Sequence, residues 1–382
     1  MCKYVGRVCA AAGTPSSTEI TGTWGYFESV PSARADDLRR GRVVKAADVS
    51  SADRDWTQYY EPSDHYQIGR EEIREFARSM KDAHLVHWDD EFAAKRGHTS
   101  LVAPLTFTAR LAGTGLNWLM ENVLTEYDTS AFVQTDQVFT YHRPLHAGDR
   151  LRLIMGLAPI RQKAGGDTIT VSGLLVNEHD ELIQTLQTTA AGRRGAQTEP
   201  ALNAALTDVM MGDFVAPTTT SWSEIDGEPS FTDIAWDKPL DPSVPTFDDL
   251  AVGDELPTTT ITLRRGDLVN YSGISADYNP IHWSDRVAEI IGLETTIAHG
   301  MLTMGMGSGF VTSWLGDPAA MRDYRVRFTG IAYVADDAPA EVEYTGRVKS
   351  LDSEAKTATI AIQATFRGKR IFGRAVATVQ LR

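Results

Sequence analysis

Sliding the 382-residue chain along itself by 195 positions brings Arg70 onto Arg265, Ile73 onto Leu268, Phe76 onto Tyr271 and Asp82 onto Asp277. The same shift sets His87 on His282, Trp88 on Trp283, Gly97 on Gly292 and Ala103 on Ala298 without an insertion. A register held over roughly thirty-five positions marks an internal duplication, so the chain is expected to fold as two copies of one unit. With 42% hydrophobic and 23% charged residues it has ordinary globular composition, and it is long enough to bury two cores.

Each copy carries the same succession of patterns. A short apolar strand and a short amphipathic helix, Glu71 to Met80 or Asp267 to Ser275, precede a loop and a second short helix, Asp90 to Lys95 or Asp285 to Ile290. A long apolar helix follows, from about Leu105 to Leu119 in the first copy and from Met301 to Leu315 in the second. Both are apolar around most of their circumference, which predicts that both are enclosed. Four strand-like segments come next: Phe132 to Tyr141, Arg150 to Leu157, Asp167 to Val176 and Leu182 to Ala190, divided by turns such as Ala147-Gly148-Asp149. The second copy repeats them at Tyr324 to Thr329, Ala340 to Lys349, Thr357 to Phe366 and Ile371 to Leu381. The pattern predicts an α+β unit, one long helix against a curled antiparallel sheet, occurring twice over residues 56–195 and 246–382.

What lies outside the copies reads differently. Residues 1–55 show little apolar periodicity and are expected to be a poorly structured extension. Residues 196–245 read as an acidic linker; between about 195 and 249, eleven acidic residues face the single base Lys238. Most of the net charge of −14 therefore sits in the connection. An excess of acid disfavours nucleic acid and anionic membrane surfaces as partners. The two cysteines, Cys2 and Cys9, support neither a disulfide framework nor a thiolate metal site. The apolar run Val8 to Ala12 is too short for a signal-peptide core, so a cytoplasmic location is expected. No charged residue lies between Glu294 and Asp317, but five glycines, His299 and several threonines make this stretch too polar for a lone spanning helix.

The chemistry concentrates in one segment, Ser275-Ala-Asp277-Tyr-Asn279-Pro280-Ile-His282-Trp-Ser-Asp285, followed by Ile297-Ala-His299-Gly300-Met301. An aspartate and a histidine five apart, a His-Gly step opening a long helix eighteen residues on, and Ser308 eight residues beyond Gly300 resemble the signature of the MaoC-like, R-specific enoyl hydratase family. Residues 56–195 resemble the non-catalytic subunit, and 246–382 the catalytic subunit, of the mycobacterial-type (3R)-hydroxyacyl-ACP dehydratase, as though the two were fused. The resemblance implies a double hot-dog fold with one continuous sheet, as a monomeric pseudo-dimer or homo-oligomer. It implies a hydro-lyase that interconverts (3R)-3-hydroxyacyl and trans-2-enoyl thioesters in fatty-acid elongation, without a cofactor. The implied site comprises Asp277 and His282 as catalytic residues, with Gly300, Ser308 and Asn279 binding substrate or the oxyanion. Acyl carrier protein and coenzyme A both remain open as the acyl carrier. Two other readings stay open: an R-specific 2-enoyl-CoA hydratase in degradation, and a non-enzymatic acyl-thioester binder.

The residue types suit this chemistry in their own right. Dehydrating a 3-hydroxyacyl thioester needs a group that takes the C2 proton and manages the oxygen at C3, and an imidazole does so near neutral pH. Asp277 can orient water or the leaving hydroxyl, Asn279 can brace its own loop, and the N–H of Gly300 at a helix start can meet negative charge on the thioester oxygen. His299 is expected to pack or cap rather than react, and Asp285 to cap the helix after it. No cluster at metal-ligand spacing and no phosphate loop is evident. The first copy keeps Asp82 and His87 but has His84-Leu85 for Asn279-Pro280, Pro104-Leu105 for His299-Gly300 and Gly113 for Ser308. It is therefore expected to be non-catalytic, with Asp82 and His87 on the surface or a loop, and to bind the acyl chain or support its partner structurally. The excess of basic residues from Arg322 to Arg382, eleven against seven acidic, suits an acidic carrier or phosphates.

Overall fold

The structure is a computed structural model and describes residues 42–45, 57–127, 132–162, 166–195, 198–210, 220–234 and 238–382. The first half comprises strands β1 (Arg42–Lys45), β2 (Gln58–Pro62) and β3 (Tyr66–Gln67), helices α1 (Arg70–Ser79), α2 (Asp90–Lys95) and α3 (Ala109–Asn122), then strands β4 (Val133–Tyr141), β5 (Arg150–Leu157), β6 (Asp167–Asn177) and β7 (Glu181–Gly192). The connection carries α4 (Pro200–Val209), β8 (Trp222–Glu224) and β9 (Ser230–Asp233). The second half follows with β10 (Glu255–Leu263), α5 (Arg265–Ser275), α6 (Asp285–Ile290), α7 (Gly300–Leu315), β11 (Met321–Phe328), β12 (Ala340–Asp352), β13 (Thr357–Phe366), β14 (Lys369–Arg370) and β15 (Phe372–Gln380).

Local chemistry accounts for many of these boundaries. In β13 the buried residues Ala358, Ile360, Ile362, Ala364 and Phe366 alternate with more exposed ones, the period of a strand with one face on a core. Arg367 and Gly368, both with positive φ, make the tight reversal into β14. The duplication is visible in the caps as well: Asp89 accepts the N–H of Phe92 to start α2, and Ser284 accepts that of Val287 to start α6. Arg70 pairs with Asp90 at 2.5 Å in one half, and Arg265 holds Asp285 through two 3.0 Å bonds in the other. Asp285 thus braces Arg265, Thr295 and the backbone of Thr296, and the capping expected of it belongs to Ser284.

The described strands form one sheet, whose main path runs β10-β12-β13-β15-β11-β4-β7-β6-β5-β2-β8. The halves meet where β11 pairs antiparallel with β4, from Asp323 opposite Thr140 to Arg327 opposite Asp136. The seam is reinforced by Thr140 donating to Asp323 and by the Arg327–Asp136 ion pair. Each half presents its long helix to the concave side, so the expected double hot-dog with a continuous sheet is what forms. One apolar cluster runs through both halves, from Phe76 and Phe107 to Tyr271, Met304 and Tyr344. None of the described helices is long and apolar enough to cross a membrane.

Two differences from the sequence reading stand out. The connection is an acidic linker in composition, yet it contributes structure: β8 extends the sheet beside β2, and β9 pairs with β1 and, in parallel, with β7. Phe231 drives this docking by burying its ring with Tyr59, Ile154, Leu174, Val176 and Leu182. Of the N-terminal extension, Arg42–Lys45 form β1, and the remaining residues to 55 lie outside the described ones. The long helices also differ. α7 is enclosed, with Met304, Val311 and Leu315 fully buried, whereas α3 exposes Thr114, Asn117 and Glu121, a polar stripe at i, i+3 and i+7 that keeps one face in water.

The enclosure of α7 depends on its small residues. A Cβ at Gly305 would collide with the Sδ of Met80 and lie 2.9 Å from Thr106 Oγ1, and one at Gly309 would lie 3.2 Å from Asp82 Oδ2. Both faces belong to the first half, so the glycines set how closely the two halves approach. Gly305→Leu is expected to destabilise the fold by about 2 kcal/mol through overpacking, read as a lower urea midpoint; an unchanged midpoint would mean that the halves are less tightly apposed here.

Candidate active site

The last turn of α5 ends at Ala276, whose φ of 61° and ψ of 19° reverse the chain and lead directly to Asp277. The loop beyond is internally braced. Asp277 Oδ1 accepts from the N–H of Asn279, Asn279 Oδ1 accepts from that of Ile281, and the Asn279 carbonyl accepts from that of His282. Asn279 therefore shapes the loop, the bracing the sequence suggested, with Pro280 opening the single turn that carries His282.

His282 is buried and donates Nδ1–H to the Ile297 carbonyl at 2.8 Å, which leaves Nε2 free to accept a proton. That Nε2 stands 3.9 Å from Asp277 Oδ2. The side chain of Asp277 is 46% exposed against 8% for His282, so the carboxylate lies at the mouth and the imidazole behind it. Burial pushes the His282 pKa below the ordinary imidazole value, against the opposing pull of the Asp277 carboxylate and the Ile297 carbonyl. That shift favours the neutral ring, whose Nε2 can accept a proton.

His299 does more than pack at a distance. Its ring stacks on that of His282 with centroids 3.7 Å apart, Tyr271 meets it edge-on, and Ser272 Oγ lies 3.0 Å from its Nε2. Burial and the neighbouring His282 push its pKa well below the imidazole value, which favours a neutral ring stacked against His282. The His-Gly step was the sequence signal for it; the stacking partner, 17 positions away, was not visible from spacing alone. One atom each of Asp277, His282 and His299 lie within 4.8 Å of one another. The fold thus brings together a carboxylate and two imidazoles that sequence spacing did not show as a cluster.

Gly300 begins α7 immediately after His299. The first intrahelical bond is that of the Thr303 N–H to the His299 carbonyl, so the earlier N–H groups have no intrahelical partner, at the end of the helix that follows the His299 ring stacked on His282. A Cβ on Gly300 would meet the Phe328 ring at 3.3 Å, a contact the sequence reading missed. Ser308 lies elsewhere: two turns along the helix it is buried and donates to the Gly305 carbonyl at 2.7 Å. Asp277, Asn279 and His282 thus share one loop, Gly300 follows the residue whose ring stacks on His282, and Ser308 is set into the helix core.

The first half preserves the geometry and loses the access. His87 Nε2 lies 3.4 Å from Asp82 Oδ2, and His87 Nδ1 donates to the Val102 carbonyl at 2.6 Å, 195 positions before the Ile297 contact. The pair is not on the surface as expected: its side chains are 1% and 6% exposed, because Gly309 of α7 lets that helix close over Asp82. The helix start is also displaced. Leu105 stands where Gly300 stands, and α3 begins only at Ala109, one turn later. Gly113, the counterpart of Ser308, faces the Ser275 carbonyl, 3.8 Å from where its Cβ would be, so bulk placed there would press on the Asp277 loop as well as on any acyl tunnel.

Comparison with known proteins matches each half to a different family model. Residues 55–186 match the model of the FAS1-like dehydratase domain region, and residues 249–365 that of the MaoC-like domain. A solved MaoC-like dehydratase is 41% identical, with a TM-score of 0.77, over 85% of this chain and 98% of its own. The chain belongs to the MaoC-like dehydratase family. Within it, a UPF0336 protein of Saccharopolyspora erythraea is 36% identical over 138 residues, which is 36% of this chain but 88% of the relative. A UPF0336 protein of Mycobacterium tuberculosis is likewise 36% identical, over 35% of this chain and 80% of its own length. Such relatives are free-standing proteins about the size of one half, so this family member carries in one chain what occurs elsewhere as a single unit. A Mycobacterium tuberculosis protein with a double hotdog fold, 13% identical with a TM-score of 0.55 over 91% of this chain and 98% of its own, shares the fold.

The buried pair of the first half has a thermodynamic signature. Burial opposes both charges, yet His87 and the His84 N–H hold the Asp82 pKa below the carboxylate value, and Asp82 and the Val102 carbonyl raise that of His87. Its stabilisation is full between the ordinary carboxylate and imidazole pKa values. It fades as pH falls through the lowered value of Asp82 and as pH rises through the raised value of His87. Asp82→Asn is expected to cost about 3 kcal/mol of unfolding free energy at pH 6, and less at pH 9, because it strands a buried imidazolium. Equal losses at both pH values would show the pair to be uncharged.

Proposed function

We infer that this MaoC-like protein interconverts (3R)-3-hydroxyacyl thioesters and trans-2-enoyl thioesters in fatty-acid elongation. The observation that carries this reading is the Asp277–His282 pair, with His282 neutral, anchored through Nδ1, and set beside the open N-terminus of α7.

In the hydration direction, a water held by the Asp277 carboxylate gives a proton to His282 Nε2 as its oxygen adds to C3. The electron pair of the C2–C3 double bond moves into the thioester, and the N–H of Gly300 receives the charge on the carbonyl oxygen. His282 then returns the proton to C2, so one base serves both bonds and no net proton is consumed. Dehydration is the reverse: C2 is deprotonated and the same proton leaves with the C3 hydroxyl. Helix-end donors are oriented before substrate arrives, so they need little reorganisation as charge develops. Ser308 would act from within α7 on the acyl or pantetheine chain, and the interior of the first half, along the apolar side of α3, would receive the acyl chain. The acyl carrier is either acyl carrier protein or coenzyme A, with Arg327, Lys369, Arg370 and Arg374 around the end of β11 as cationic surface for its phosphates.

The deciding experiment follows loss of the enoyl thioester's ultraviolet absorbance with trans-2-enoyl-CoA and the matching enoyl-ACP, across chain lengths. Turnover of either supports the reading, and their ratio assigns the carrier; binding of both without turnover would leave a thioester-binding protein. His282→Ala and Asp277→Asn are each expected to lower turnover at least about a hundredfold while thermal unfolding is unchanged. Because the His282 pKa is depressed, the acidic limb of kcat/KM should fall below pH 6.5, since the base stays unprotonated to lower pH than a free imidazole. A limb above that value would contradict the base assignment.

A further inference from the structure

The catalytic loop is held from the other half of the molecule. α3 lays one face, Arg110 and Gly113, against the last turn of α5. Arg110 Nη1 donates to the Ile274 carbonyl at 3.1 Å, one of the carbonyls that a helix C-terminus leaves without an intrahelical partner. Two residues later the chain is at Ala276 in the left-handed region, a conformation that a residue with a Cβ adopts at a cost, and the next residue is Asp277. Beyond Ala276 the loop is braced from within, and on the helix side Ser275 Oγ donates to the Tyr271 carbonyl and accepts the Asp277 N–H at 3.3 Å.

The guanidinium is itself oriented. Glu72 Oε1 lies 3.3 Å from Arg110 Nη1 and accepts the Tyr66 hydroxyl, while Glu72 Oε2 accepts the N–H of Gly69. Tyr66, Gly69, Glu72 and Arg110 all belong to the first half. The duplication shows that this arrangement is particular to one side, because Gly305 occupies the position of Arg110 in the second copy and there closes on Met80 by direct contact. The glycine side seals its Asp–His pair, and the arginine side holds the helices apart with a polar strut while the Asp277 carboxylate stays open.

We propose that Arg110 is a positioning residue: its bond to the Ile274 carbonyl fixes the final turn of α5 and so aims the Asp277 carboxylate at His282. The non-catalytic half thereby takes part in turnover without touching substrate. This rests on Asp277 and His282 being the reacting pair, and the test separates the two ideas.

The test combines turnover with an NMR titration of His282 in the full chain, comparing wild type, Arg110→Met, Arg110→Lys, Glu72→Gln and Asp277→Asn. The groups facing His282 are the Asp277 carboxylate and the His299 ring. Losing the aimed carboxylate lowers the His282 pKa, whereas merely deleting a nearby cation raises it, so the sign of the change reports the mechanism. Arg110→Met is expected to move the His282 pKa downward, in the direction of Asp277→Asn, and to reduce kcat at least about tenfold with KM within about threefold. Arg110→Lys, or millimolar guanidinium added to Arg110→Met, should restore part of the turnover. Glu72→Gln should show a smaller loss of the same kind and carries the test if Arg110→Met does not fold. A His282 pKa that is unchanged or raised in Arg110→Met, or in Glu72→Gln where that variant must serve, overturns the proposal. Absence of turnover in the wild type would sink the hydratase reading alone, since the titration still decides whether Arg110 aims Asp277.

Discussion

A half consisting of one helix on one curled sheet would leave β4 or β11 with a row of unpaired backbone groups beside an apolar concavity. Pairing these two strands satisfies both edges at once and fixes the halves in an antiparallel, nearly two-fold relation. Everything at the site follows from that relation. It brings α7 over the Asp82–His87 pair and α3 beside the last turn of α5, and it places Phe76 and Tyr271, positions equivalent under the duplication, 6.1 Å apart near the centre.

Within this symmetric frame a few side chains decide which Asp–His pair is usable. The two pairs share the five-residue spacing and an anchoring backbone carbonyl, and the buried pair of the first half is the tighter, 3.4 Å against 3.9 Å. Tightness is therefore not the criterion. The Asp277 side chain is open to solvent and that of Asp82 is not, and the ring stacked on His282 belongs to the residue that precedes a long helix. An aspartate buried against an imidazole is spent on holding structure, whereas one exposed at its tip can still exchange partners.

Much of this was legible from residue order. The 195-residue register and the strand limits at Arg150–Leu157 and Thr357–Phe366 follow from periodicity and turns, and it was the resemblance to the MaoC-like family that drew Asp277, Asn279, His282 and Gly300 together. What was not legible depends on partners far away in sequence. Asp82 looked accessible because nothing near it announces that α7 will pack over it at Gly309, where an added Cβ would lie 3.2 Å from its carboxylate. Asp285 looked like a cap because its ties to Arg265 and Thr295 are tertiary. The connection looked structureless because β9 is short and gains its order from Phe231 entering a cleft made by other strands. Leu105 to Leu119 looked enclosed from its mean apolarity; the placement of Thr114 and Asn117 on one side was the information that mattered.

The connection between the halves has a bearing on mass action. Two separate subunits of this kind would find each other at a rate and to an extent set by their concentrations, and two copies of the same half could pair with themselves. A segment that ties the halves together and also docks through β8 and β9 makes that encounter intramolecular. Dilution then leaves the population of paired halves unchanged, and each open Asp–His pair is supplied with one sealed counterpart made at the same moment by the same ribosome. Under that arrangement the two halves are free to diverge in opposite directions, because neither needs to remain able to pair with a copy of itself.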